Sequence, residues 1–118
     1  MTTVTLRVER DKEIPIVYLQ GEIDIVNASQ VGVQLFEAAP NDAPGMVVDL
    51  SDVTYLDSRG LHLLFELSER LRVRDQRLHL VIPPQALIRR VVTLTRMDAI
   101  VPLYASVTDA VRQMSQTP

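Results

Sequence analysis

Ser58 and His62 stand four residues apart in "LDSRGLHLL", the spacing that puts two side chains on one side of a helix. A serine with a histidine in reach is the beginning of a hydrolase site, the imidazole taking the hydroxyl proton. The surroundings do not complete it, because "LDSRGL" lacks the flanking glycines of G-x-S-x-G. His62 is expected instead as a surface residue of an amphipathic helix. His79, between Leu78 and Leu80 in a strand-like run, reads as a side chain filling one face of a sheet. Two separated histidines and no cysteine argue against a transition-metal site. Only four glycines are present, and no Gly-rich phosphate loop of either dinucleotide or Walker type.

The acidic residues matter more by position than by number. Asp24 follows Gly21 in "GEIDI", just past a strand-like run, and Asp57 precedes the helix that carries Ser58. In open parallel sheets, loops after the strand C-termini share one rim, where ligands and partners are met. Asp24, Asp57 and Ser58 can therefore converge. The plainer reading is that Asp57 or Ser58 caps the helix and Asp24 stabilises a turn. Caps leave Arg59 and Gly60 unexplained. Arginine is poorly placed at the positive end of a helix dipole, and glycine costs about 1 kcal/mol against alanine in a helix. Local rules broken together point to a contact site. Gly60 would let another backbone approach the helix start, and a hydroxyl in a first turn can carry a phosphate beside exposed N–H groups.

The elements that must position these residues follow from hydropathy. Val4, Leu6 and Val8 alternate with polar residues, and "IPIVYLQ" (14–20) follows the charged turn "RDKE", so a hairpin is expected that Gly21 ends. Asn27 is the N-cap candidate of a first helix with Val31, Leu35 and Ala38 at helical spacing, stopped by Pro40. "MVVDL" (46–50) is an unbroken apolar run suited to a strand buried on both faces. The next helix traces a face through Leu61, Leu64, Phe65, Ser68 and Leu71. "LHLVI" (78–82) is a strand stopped by Pro83-Pro84. A helix over 84–96 is expected to bury Leu87, Ile88, Val91, Val92 and Leu94. "AIVPLY" (99–104) is a short last strand, and a closing helix capped by Ser106 or Thr108 buries Val107, Ala110, Val111 and Met114. The plan is one α/β domain over residues 1–118, with a mostly parallel mixed sheet of four or five strands and about four helices.

Composition bounds the partners. A hydrophobic share of 47% with 23% charged residues supports a packed core. A net charge of −3 without a basic run argues against direct nucleic-acid binding. "MTTVTLRVER" lacks an apolar signal core and no apolar run is long enough for a bilayer, so a cytoplasmic chain without membrane insertion is expected.

Three stretches, "GEIDIVNASQ", "MVVDLSDVTYLDSRGL" and "IPPQALIRRVVTLTRMDAIVPLY", resemble in order the landmarks of the bacterial STAS-domain anti-sigma factor antagonists. The resemblance implies a single STAS domain that is not an enzyme and needs no cofactor. It implies binding to an anti-sigma factor, a serine kinase of the histidine-kinase ATPase fold, which frees a sigma factor. The kinase would phosphorylate the serine of D-S-x-G, which falls on Ser58; the modified form lets go, and a phosphatase restores it. The partner-binding corner would comprise Asp24, Asp57, Ser58, Arg59, Gly60, Leu61 and His62. Two residues depart from the family pattern: Arg59 stands where a small residue is commoner, and His62 where a glycine is common.

Two rivals make different predictions. A STAS domain acting as accessory subunit of a membrane transporter would hold a constant contact by the same helix, with no phosphate turnover. A Ser58–His62 hydrolase would turn over an activated ester and lose that activity in Ser58→Ala. Nucleotide binding would be a further possibility, without a phosphate loop to support it.

Overall fold

The alternation at Val4, Leu6 and Val8 becomes β1 (Val4–Asp11), which pairs antiparallel with β2 (Ile14–Ile23) across the turn at Lys12 and Glu13. The computed structural model describes residues 3–116; residues 1, 2, 117 and 118 of the domain expected over 1–118 lie outside the described residues. As the outer strand, β1 buries little, and Val8 remains 43% exposed.

Gly21 does not end β2, as its sequence context suggested. It adopts φ +115°, and the pairing register shifts between Gly21 and Glu22. A Cβ there would fall 2.4 Å from the Thr3 carbonyl oxygen, which accepts the Glu22 N–H at 2.8 Å. The glycine bends the strand and lets it run on to Ile23, opposite Leu56.

β3 (Gly45–Leu56) is the central strand and is longer than the apolar run at 46–50. β4 (Arg77–Val81) and β5 (Leu103–Tyr104) complete a sheet in the order β1-β2-β3-β4-β5, parallel from β2 onward. The expected last strand at 99–104 shortens because Met97–Ala99 winds into a 3-10 turn. Pro102 lies just before β5 on the sheet's far edge, its carbonyl accepting the Leu80 N–H at 3.0 Å.

Four helices cover the sheet: α1 (Ala28–Ala38), α2 (Ser58–Val73), α3 (Arg89–Leu94) and α4 (Val107–Gln116). Met46 and Val48 point to a core shared with α1, α2 and α3, while Val47 points to a smaller core under α4 with Ile16, Val81 and Ala110. Residues of opposite parity along β3 are therefore both buried, which is why its start reads as an unbroken apolar run.

Two helix faces differ from expectation. α2 buries Gly60, Leu63, Leu64, Leu67 and Leu71; of the expected face Leu64 and Leu71 are buried, while Leu61 and Ser68 are half-buried and Phe65 is 37% exposed. α3 has only six residues and buries Val92, with Ile88 just before it, leaving Leu87, Val91 and Leu94 exposed. α4 follows its pattern closely: Ser106 Oγ accepts the Asp109 N–H at 3.1 Å, making Ser106 the cap, and Ala110, Val111 and Met114 are buried, while Val107 is only half-buried against the smaller core. The whole is the expected single α/β domain, with five strands and four helices.

Candidate functional site

The C-terminal ends of β2 and β3 lie side by side, with Ile23 paired to Leu56, so the loop after β2 and the start of α2 meet on one rim. Asp57 binds them together. Its backbone is extended (φ −99°, ψ −171°), as an N-cap residue must be, and its N–H donates to the Ile23 carbonyl at 3.3 Å. One carboxylate oxygen accepts the Arg59 and Gly60 N–H groups at 2.9 and 3.2 Å; the other accepts the Ile25 N–H at 3.2 Å. A single side chain thus caps α2 and fixes the neighbouring loop.

Asp24 shapes that loop from within. Its carboxylate accepts the Val26 N–H at 2.8 Å and its carbonyl accepts the Asn27 and Ala28 N–H groups. Asn27 occupies the expected N-cap position of α1 without capping it by its side chain. It is buried and spans the loop instead, accepting the Asp24 N–H at 3.1 Å and donating to the Glu22 carbonyl at 2.8 Å.

With Asp57 as cap, Ser58 is the first residue of α2, exposed on the rim, its hydroxyl taking no part in these bonds. The next residues divide. Arg59 and His62 are exposed on the outer side of the helix, and His62 Nε2 lies 3.1 Å from Glu66 Oε1, turned along the helix toward that carboxylate. Leu61 is half-buried against the main core. Gly60 faces inward: a Cβ there would meet Leu56 Cδ1 at 2.4 Å and Ile23 Cγ2 at 3.2 Å. The room left by Gly60 is therefore taken up by the protein's own strands, which corrects the reading of it as clearance for a partner's backbone.

Between α1 and α2 runs a cleft of about 380 Å³, walled by Ile25, Val33 and Phe36 on one side and Arg59, His62 and Glu66 on the other. Its floor is close-packed, since a Cβ on Gly32 would stand 2.8 Å from Leu63 Cδ1. On the two segments that Asp57 joins, the loop after β2 and the end of β3, three large apolar side chains stand in solvent: Ile25 is 66% exposed, Val26 76% and Tyr55 50%. Sequence reasoning passed over these three. The available signal was "DIV", two β-branched residues between a strand end and a cap that fit neither the strand nor the helix period.

His79 is 3% exposed, its Nδ1 3.0 Å from the Ala110 carbonyl oxygen and its ring centroid 4.7 Å from that of Tyr104. It is the face-filling histidine expected, joining β4 to α4. Burial holds its pKa below the usual imidazole value, partly opposed by the hydrogen bond to Ala110 and reinforced by the charge of Arg77. No helix among the described residues is long and apolar enough to cross a membrane.

Fold and site together define a small mixed-sheet α/β domain with an exposed serine on a rim tied by one aspartate. The sequence pattern of the STAS domain matches residues 5–110, and the chain belongs to the STAS domain family. It is similar to the anti-sigma-F factor antagonist RsfB of Mycobacterium tuberculosis, 27% identical over 109 residues, covering 92% of this chain and 87% of that protein. The crystal structure of an anti-sigma factor antagonist from Mycobacterium paratuberculosis superposes with a TM-score of 0.85 at 31% identity, covering 97% of this chain and 96% of the other. The Bacillus cell fate determinant SpoIIAA, in its phosphorylated form, shares the fold at a TM-score of 0.66 and 18% identity, covering 92% of this chain and 98% of the other.

Proposed function

We propose that this protein is an anti-sigma factor antagonist switched by phosphorylation of Ser58. The observation that carries the reading is the placement of Ser58: an exposed residue in the first turn of α2, next to the Asp57 that ties the loop of exposed Ile25 and Val26 to that helix start. The similarity to two mycobacterial anti-sigma factor antagonists gives the class of partner. The unmodified rim docks on an anti-sigma factor that is also a serine kinase of the histidine-kinase ATPase fold, and the sigma factor is released.

Phosphorylation ends the contact by electrostatics. Ser58 Oγ attacks the γ-phosphorus of the kinase's ATP, the bond to ADP breaks, and the hydroxyl proton passes to a base on the kinase. The phosphoserine carries roughly −1.5 to −2 charges, tolerated in the free protein beside the N-terminal N–H groups of α2. Against a partner, the same charge must be desolvated beside the carboxylate of Asp57 and in the neighbourhood of Asp24, a cost that the single adjacent cation, Arg59, does not cancel, and affinity falls. A phosphatase hydrolyses the ester with water and restores the hydroxyl.

The test is a binding comparison with the anti-sigma factor of the source organism. The expected outcome is tight binding by the wild-type protein and by Ser58→Ala, lost in Ser58→Glu. Equal binding by all three would remove the switch and favour a constant contact, as in a transporter accessory subunit.

A further inference from the structure

α3 leaves more apolar surface in solvent than its sequence pattern anticipates. Leu87, just before the helix, and Val91 and Leu94 within it recur at i, i+4 and i+7, the spacing of a single helical stripe, and are 73%, 38% and 71% exposed. Arg90 falls on the same stripe, three residues after Leu87 and four before Leu94, and is exposed. Between Asp75 and the exposed Asp98 the sequence has four arginines and no carboxylate, although the chain as a whole is acidic. Arg89 donates to the Ile82 carbonyl and Arg77 to the Met114 carbonyl. Arg90 and Arg96 form no ion pair among the described residues.

Arg96 extends the basic border beyond Arg90. It closes α3 in the left-handed region (φ +62°, ψ +25°), where glycine is the unstrained choice and a long side chain is costly. Lys12 and Asp75 adopt the same region at φ +59° and +58°; at Arg96 it sets a guanidinium directly after the helix that carries the apolar residues.

We propose that the α3 corner is a second docking face, separate from Ser58, for a partner protein's helix carrying an apolar stripe bordered by carboxylates. Charge complementarity selects that occupant: guanidinium groups pair with carboxylates in a fixed fork, and the apolar stripe excludes water between them. The segment has the wrong make-up for a lipid surface, being one short helix without aromatic residues or lysine.

A photo-crosslinking phenylalanine placed at Leu94 of the full chain, in the cells that make it, tests this. The adduct is mapped by peptide sequencing. The expected adduct is to a protein segment with apolar residues at helical spacing flanked by Asp or Glu. Its yield should fall about ten-fold when Arg90→Glu puts like charges together. Arg96→Gly should also reduce it while leaving the melting temperature unchanged or higher, a combination that a merely structural Arg96 cannot give. A lipid adduct, an adduct to a second copy of this chain, a protein segment without carboxylates, or no adduct would each overturn the proposal.

Discussion

The Asp57 carboxylate accepts the backbone N–H of Ile25 at 3.2 Å, across 32 residues of sequence, with the oxygen that α2 does not use. The start of α2 and the loop after β2 are therefore one mechanical unit. Ser58 and the apolar residues Ile25 and Val26 are presented together because of it.

Asp57→Ala removes the cap and the loop tie at once. A lost N-cap costs about 1–2 kcal/mol, and the variant should show that loss in urea denaturation. It should also bind the partner more weakly than its stability alone accounts for, since the bond that ties Ile25 to the start of α2 is gone. Asp57→Asn, which keeps acceptor capacity at one oxygen, should fall between. Stability and binding both at wild-type level in Asp57→Ala would remove the linkage.

Gly60→Ala sets two effects against each other. Alanine favours the helix by about 1 kcal/mol, while its methyl group meets Leu56 Cδ1. Overpacking of a closed core costs about 1–3 kcal/mol, so a net loss is expected. Combining it with Leu56→Val should recover much of that loss, a coupling that a double-mutant cycle measures directly. Additive effects would show that the two residues do not compete for the same space.

His79 makes stability depend on pH. Its folded-state pKa lies below the unfolded value of about 6.5. Above that pH both states hold the neutral ring and the contribution is complete. As pH falls below about 6.5, the unfolded chain takes up a proton that the folded protein resists, so stability declines toward the folded-state pKa. Urea titrations at pH 7.5 and 5 should show the decline in the wild-type protein and a smaller one in His79→Leu. An equal decline in both would assign it to other groups.

Ser58→Glu should leave the fold intact. A negative charge in the first turn of a helix is favourable by about 0.3–1 kcal/mol, so the melting temperature should be unchanged or slightly higher. A clear drop would mean that charge at this position disrupts the domain itself, and loss of binding could then not be read as a switch.

The sheet and the helix count were legible because both cores alternate cleanly along β2 and β3. The helix faces were harder. The buried stripe of α2 begins at Gly60, which has no side chain to register as apolar, so Leu61 and Phe65 drew the stripe one residue too far on. α3 was read too long because Leu87, Ile88, Val91, Val92 and Leu94 keep a helical spacing through 84–96, whereas the helix begins at Arg89 and buries only Val92. Gly21 looked like a stop because the sequence does not reveal that Thr3 lies against it. At the site, Asp24, Asp57 and Ser58 were placed on a common rim by strand–loop logic alone. The apolar residues beside them were not, since Ile25 and Val26 obey no period.

The central claim is the switch at Ser58, and the most direct measurement is the phosphorylation state of the native protein. It should be purified from source cells across growth and stress conditions, its intact mass taken, and any phosphate mapped by peptide sequencing. A single phosphate on Ser58 whose occupancy changes with condition is the predicted result. An unmodified Ser58 under every condition, or a phosphate confined to another residue, would contradict it.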